Sequence, residues 1–186
     1  MRAGVAWRIA VLSLAVAAGE SGAAGASGAA AELRSCPETI SASDPELQRT
    51  YAEFKRSVES SPLVGHLGRT VSCDARADGD AIRLTYASPT GGRLEAHRDQ
   101  SIEFTEQRLS EKRMSRQTAL ALLRRTERWA FGDKGCSIAW KTRPAMEADT
   151  TPGTREYVYR GDDCNCQARL VYAGNVLTGL VFRSAC

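Results

Sequence analysis

Six cysteines, two histidines and a set of arginines are the residues of this 186-residue chain whose types could do chemistry. The cysteines stand at 36, 73, 136, 164, 166 and 186, and the tightest spacing is Cys164-Asn165-Cys166. Two sulfurs one residue apart can be soft metal ligands, a redox pair, or the ends of two different disulfides. On an extended strand, residues i and i+2 share a face and lie about 7 Å apart, at or beyond the reach of a disulfide. Cys164 and Cys166 are therefore poorly placed to bond each other, and each needs its own partner. Thiolates select copper(I) or zinc, but no second cysteine- or histidine-rich cluster accompanies the pair, and only Cys186 and Met146 could add soft ligands. Thioredoxin-type chemistry separates its cysteines by two residues, not one.

An even cysteine count in an exported chain favours a disulfide framework. Cys36, Cys73, Cys136, Cys164, Cys166 and Cys186 are all disulfide candidates. The preferred pairing joins Cys36 to Cys73, Cys136 to one of Cys164 and Cys166, and Cys186 to the other. No metal or other cofactor is expected, with Cys164 and Cys166 as the metal alternative.

Of the histidines, His97 shares the polar face of its segment with Arg93 and Glu95, which suits solvent exposure. His66 lies in Val64-Gly65-His66-Leu67-Gly68, a loop-like setting where a general acid or base could work. No Gly-x-Ser-x-Gly elbow, His-Glu-x-x-His helix or phosphate loop is present, so no catalytic residue is assigned. Lys112 and Arg113 precede a helical pattern whose polar side carries Arg116, Arg124, Arg125 and Arg128. Those four are the candidate partner-binding residues, suited to an acidic partner or an anionic headgroup. The plain alternative is a solvated helix face with Glu127 nearby.

The elements that must position these residues begin with a leader. Arg2 and Arg8 flank Ile9 to Ala18, ten apolar residues, too few for a bilayer core that needs about 20. This reads as a signal peptide over 1–18, with cleavage anywhere from 17 to 31. A Gly/Ala/Ser linker follows over 19–34, then a single domain over 35–186. Without Arg2, Arg8 and Glu20, two basic residues and one acidic residue fewer, the formal charge of +3 falls to about +2, no footprint for nucleic acid.

Pro45 to about Ser60 has Leu47, Tyr51, Phe54 and Val58 at helical spacing, with Ser43 or Asp44 as cap and Pro62 as stop. The period then changes to two. Val71, Cys73 and Ala75 precede Asp78-Gly79, a hairpin signal, and Ile82, Leu84 and Tyr86 follow. That turn pairs 75 with 82, 73 with 84 and 71 with 86. Weaker strands follow near 93–98 and 102–107. A second helix, capped by Ser115, runs to about Ala130 with Ala119, Leu122, Leu123, Thr126, Trp129 and Ala130 on one face. Strands are expected at 136–141, 155–160, 164–172 and 176–184, with a long loop over 142–153. A three-residue loop, Ala173-Gly174-Asn175, would place Tyr172 opposite Val176 and put Cys164, Cys166 and Cys186 on the buried face.

The stretch Met114-Ser-Arg-Gln-Thr-Ala-Leu-Ala-Leu-Leu123, with strands after it, resembles the helix start of exported β-lactamase-inhibitor-like and small outer-membrane assembly lipoprotein modules. The resemblance implies helices preceding an antiparallel sheet. It covers about ten residues plus element order. Arg113 replaces the usual Gly, the lipid-bearing Cys is absent, and no functional residue is carried over.

The expected fold is α+β: two helices packed on antiparallel sheet, in the order α-β4-α-β4, stapled by disulfides. The expected function is an exported, disulfide-stabilised binding module without catalytic activity, an inhibitor or envelope accessory. Its partner is expected to be another extracytoplasmic macromolecule, in the periplasm or secreted, with no transmembrane segment in the mature protein. The alternatives are an exported hydrolase using His66 or an Asp/Glu pair and a copper- or zinc-binding protein using the Cys-x-Cys pair.

Overall fold

Asp44 opens the first helix, α1 (Pro45–Glu59): its side chain accepts a hydrogen bond from the Glu46 N–H at 2.9 Å, and Pro45 takes the first turn. The structure is a computed structural model, and it describes residues 36–41, 44–68, 71–101, 104–112, 114–131, 137–148, 153–161 and 165–185. The leader, the linker and Cys136, Cys164 and Cys186 lie outside these residues. So do the expected pairings that involve those three cysteines.

Leu47, Tyr51, Phe54 and Val58 of α1 are buried, together with Lys55. The segment before the helix is strapped along it. Gln48 Nε2 donates to the Ile40 carbonyl at 2.6 Å, Lys55 Nζ pairs with Glu38 at 2.9 Å, and Tyr51 donates to the Pro37 carbonyl. Burial, with Glu59 and Glu38 adding to it, pushes the Tyr51 phenol up to about 12. The strap ends at Cys36, disulfide-bonded to Cys73 with a Cα–Cα distance of 4.8 Å.

Pro62 does not merely stop α1. It starts a short second helix, α2 (Pro62–His66), with Ser61 Oγ capping the Leu63 N–H at 3.2 Å. A proline that cannot continue one helix is suited to begin the next. Among the described residues there are thus three helices where two were expected. The remaining one, α3 (Arg116–Phe131), is capped by Ser115, whose Oγ accepts from the Thr118 N–H at 3.0 Å. It buries Ala119, Leu122, Leu123 and Thr126, whereas Ala130, expected on that face, is exposed.

Eight strands form one antiparallel sheet: β1 (Ser72–Asp78), β2 (Ala81–Ala87), β3 (Arg93–Asp99), β4 (Phe104–Ser110), β5 (Ala145–Ala148), β6 (Thr154–Arg160), β7 (Gln167–Ala173) and β8 (Val176–Ala185). Their spatial order is β1-β2-β3-β4-β8-β7-β6-β5. Each half is a meander, and the two meet at β4 and β8. The fold is α+β with a large antiparallel sheet.

Four local expectations are corrected. The first hairpin turns on Gly79-Asp80, not Asp78-Gly79, so Cys73 pairs with Tyr86 and Ala75 with Leu84. Gly79 supplies the positive φ (57°) at the first turn position, as a Gly-first hairpin turn requires. The shift moves each partner by two residues, so apolar still faces apolar. The last hairpin turns on Gly174-Asn175, pairing Ala173 with Val176 and Tyr172 with Leu177. A bulge beyond Tyr172 then brings Leu170 opposite Leu180. The extra residue restores the parity that a two-residue turn would have broken. Part of the expected 142–153 loop is strand β5, which covers the edge of β6. The expected strand at 136–141 is reduced, among the described residues, to a single bridge between Ile138 and Gly161.

β7 begins at Gln167 rather than Cys164, because Asn165 takes φ 44° in the left-handed region. The expected spacing of Cys164 and Cys166 lies outside the described residues. Cys166 is buried and disulfide-bonded. No described helix is long and apolar enough to cross a membrane.

Gly179 lies in β8, flanked by Ser110 of β4 and Val171 of β7. A Cβ there would stand 2.7 Å from the Leu109 carbonyl oxygen, a backbone atom with no rotamer to yield. Gly179→Ala is expected to destabilise the protein by about 1–3 kcal/mol through forced backbone movement, read as a lower midpoint in urea unfolding. An unchanged midpoint would show that β4 and β8 separate without cost.

Candidate functional site

The two faces of the sheet treat charge differently. On the face away from the helices, Val158, Val171 and Val181 are buried beneath charged side chains. Glu156, 3% exposed, is bonded by Arg169 and lies 3.5 Å from Arg108. Arg183 bonds Glu106, and Arg160 bonds Glu147. Each of these four arginines rests on a carboxylate, so this charge is internally neutralised.

The helix-side face does the opposite at one end. A cleft of about 430 Å³ is lined by Arg116, Arg143, Pro144, Arg155, Tyr157, Leu170, Tyr172, Gly174 and Asn175. Arg155, Tyr157 and Tyr159 alternate on β6 and so share one face. Tyr172 pairs with Arg155 and Leu170 with Tyr157, which sets Leu170 as the floor. The Tyr157 and Tyr172 rings meet edge to face at 5.3 Å. Arg116, the first residue of α3, reaches over the sheet and donates to the Tyr159 hydroxyl at 3.2 Å. That bond holds the Arg116 guanidinium above its ordinary range, so it stays charged. Arg143 and Arg155 make no ion pair or hydrogen bond among the described residues.

Glu127 of α3 places the segment that brings Arg143 to the cleft. Its two oxygens accept from the Ile138 N–H at 2.7 Å and the Trp140 Nε1–H at 2.6 Å. Trp140 also packs against Tyr159 at 5.3 Å between ring centres, and the Arg124 guanidinium lies over the Trp140 ring, 5.5 Å from its centre.

The sequence-derived candidates are therefore dispersed. Arg116 lines the cleft, Arg124 lies on Trp140, Arg128 is exposed, and Arg125 lines a separate depression with His66, Gln117 and Thr118. His66 is half-buried and its Nε2 lies 3.0 Å from Glu111 Oε2. The Thr118 hydroxyl in that depression is engaged by Ser115 at 2.8 Å. His97 packs edge-on against Phe104 at 6.1 Å. Among the described residues no group of three or more His, Cys, Asp or Glu could hold a metal ion. Cys73 and Cys36 are bonded to each other, and the sulfur of Cys166 is likewise in a disulfide.

Sequence reasoning missed Arg143, Arg155, Tyr157 and Tyr172. The signal that could have found two of them is Arg155-x-Tyr157-x-Tyr159, a cation and two aromatics on one strand face. Such a cleft can hold an anion beside a flat apolar surface. Among the described residues its lining holds no imidazole, carboxylate, aliphatic hydroxyl or thiol.

Comparison with protein families, with curated proteins and with solved structures finds no match.

The lining predicts a pH profile. Burial raises the Tyr172 phenol above its ordinary value, with Arg116 opposing. The Tyr172 phenol thus stays neutral and guanidinium stays charged from about pH 6 to 9, with no imidazole or carboxylate among the described lining residues to titrate. Affinity for sulfate, which does not titrate there, is expected to be flat over that range by calorimetric titration and to fall only in stronger alkali. A step near pH 6.5 would assign the site to a histidine instead.

Proposed function

We propose that the protein is an exported, non-catalytic binding module that recognises an anionic group of an extracytoplasmic partner at the Arg116–Arg143–Arg155 cleft. The observation that carries this reading is the set of three guanidinium groups without a carboxylate among the lining residues. On the opposite face of the same sheet, Arg108, Arg160, Arg169 and Arg183 are paired with glutamates. Unpaired like charges gathered in one cleft repel each other, and an anionic ligand relieves that repulsion. Export rests on the short apolar leader and the even cysteine count. An inhibitor or envelope accessory role fits a stapled module of this kind.

A hydrolase reading draws on the His66–Glu111 pair, since a carboxylate can orient an imidazole base. It lacks a hydrogen-bonded nucleophile at His66 among the described residues. The copper or zinc reading requires thiolates, and a bridged Cys166 has none to offer.

Two measurements test the proposal. Protein recovered from the periplasm or medium, alkylated without reduction, is expected to have lost its leader and to carry no alkyl adduct by intact mass. Retention of the leader would contradict export, and adducts at Cys166 would reopen the metal reading. In solution, Arg155→Gln is expected to weaken sulfate binding by about threefold to tenfold, one rim charge's worth. Equal affinity in wild type and variant would remove the cleft from the reading.

A further inference from the structure

A single row of side chains crosses all eight strands on the helix side of the sheet. It runs Cys73, Tyr86, Leu94, Leu109, Leu180, Leu170, Tyr157, Met146, each paired in register with the next. Paired residues share a face, so this is one continuous apolar line. From Tyr86 to Leu170 no member is more than 1% exposed. At the β1 end, Cys73 is closed over by its disulfide to Cys36. At the β5 end the line emerges: Tyr157 is only partly buried and Met146 is 62% exposed.

A lone exposed methionine means little. Here it prolongs the core line past the covered part of the sheet, directly beside the cleft whose rim carries three arginines. Apolar wall and cationic rim are adjacent, and each by itself is a weak attachment. An exposed ion pair contributes little in water, and a short apolar strip buries little area. A ligand that uses both at once gains from each.

Resting on the binding reading above, we propose that the anionic group this cleft recognises is a carboxylate carried on an aromatic body. Arg116, fixed by Tyr159, offers a planar fork of donors that matches a carboxylate. The aromatic body lies on Tyr157 and the Leu170 floor, with the adaptable Met146 thioether closing the outer side. The volume of about 430 Å³ falls within the range of small-ligand sites. A small hydrated anion would engage the guanidinium groups and leave the apolar wall wet.

The test is calorimetric titration of the exported full-length mature chain with N-acetylphenylalanine, N-acetylglycine, N-acetylphenylalaninamide and sulfate. N-acetylphenylalanine is expected to bind at least about tenfold tighter than N-acetylglycine and than the neutral amide. Met146→Ser, at an exposed edge position, is expected to weaken N-acetylphenylalanine severalfold and leave sulfate unchanged. Equal affinity for N-acetylphenylalanine and N-acetylglycine would overturn the aromatic body while leaving the anion site standing. Equal affinity for the acid and the amide, or no heat from any of the four at millimolar concentration, would overturn both readings. A five-residue peptide ending in Phe separates the sources. Tighter binding than N-acetylphenylalanine means the carboxylate is the end of a partner chain, and equal binding means a free acid suffices.

Discussion

The pairing of β4 with β8 is the contact on which the rest of this molecule depends. It joins two meanders that otherwise would each be a four-stranded sheet with an unpaired inner edge. It sets Leu109 against Leu180, both fully buried, at the centre of the apolar line that runs from Cys73 to Met146. It also needs a glycine, because at Gly179 the neighbouring backbone leaves no room for a side chain. Leu122 and Leu123 of α3 join the same buried core as Tyr51 and Phe54 of α1. The ends of the sheet are finished differently. One is closed by the strap before α1 and its disulfide, and the other is left open under Arg116.

That asymmetry links fold to function. Covering the β5 end would require another helix or strap over Tyr157 and Met146. The segment that does approach, held by Glu127 through Ile138 and Trp140, stops short and contributes Arg143 and Pro144 as one wall of the cleft. On the opposite face near the junction, Arg108, Arg160, Arg169 and Arg183 rest on Glu106, Glu147 and Glu156. Charge is neutralised where the sheet needs a lid over its valines and left unneutralised where the apolar line emerges.

Much of the architecture was legible in residue patterns, for definite reasons. The α1 stripe and the α3 stripe as far as Thr126 read correctly because helix periodicity is long-range and redundant. Strand faces survived two turn errors, since both the Gly79-Asp80 turn and the bulge near Tyr172 preserved the parity that apolar pairing demands. The Cys36–Cys73 pairing was expected and is present. The α2 helix was missed because Pro62 serves equally as a stop or a start. Strand β5 was missed because four residues carry too little pattern. The site was the least legible part. Arg155 and Tyr172 come from two strands and Arg143 from a loop; the β6–β7 register and the segment held by Glu127 bring them to Arg116. The basic helix residues drew notice because they are close in sequence, yet α3 directs Arg116, Arg124 and Arg125 to different neighbours.

The most direct measurement is an amide and side-chain NMR shift map of the mature protein titrated with N-acetylphenylalanine. The account predicts perturbations confined to Arg116, Arg155, Tyr157, Tyr172, Gly174 and Asn175, with Met146 methyl shifted by ring current. Perturbations centred on His66, Glu111 and Arg125, or on the Glu156 face, would contradict it and move the functional site elsewhere on the sheet.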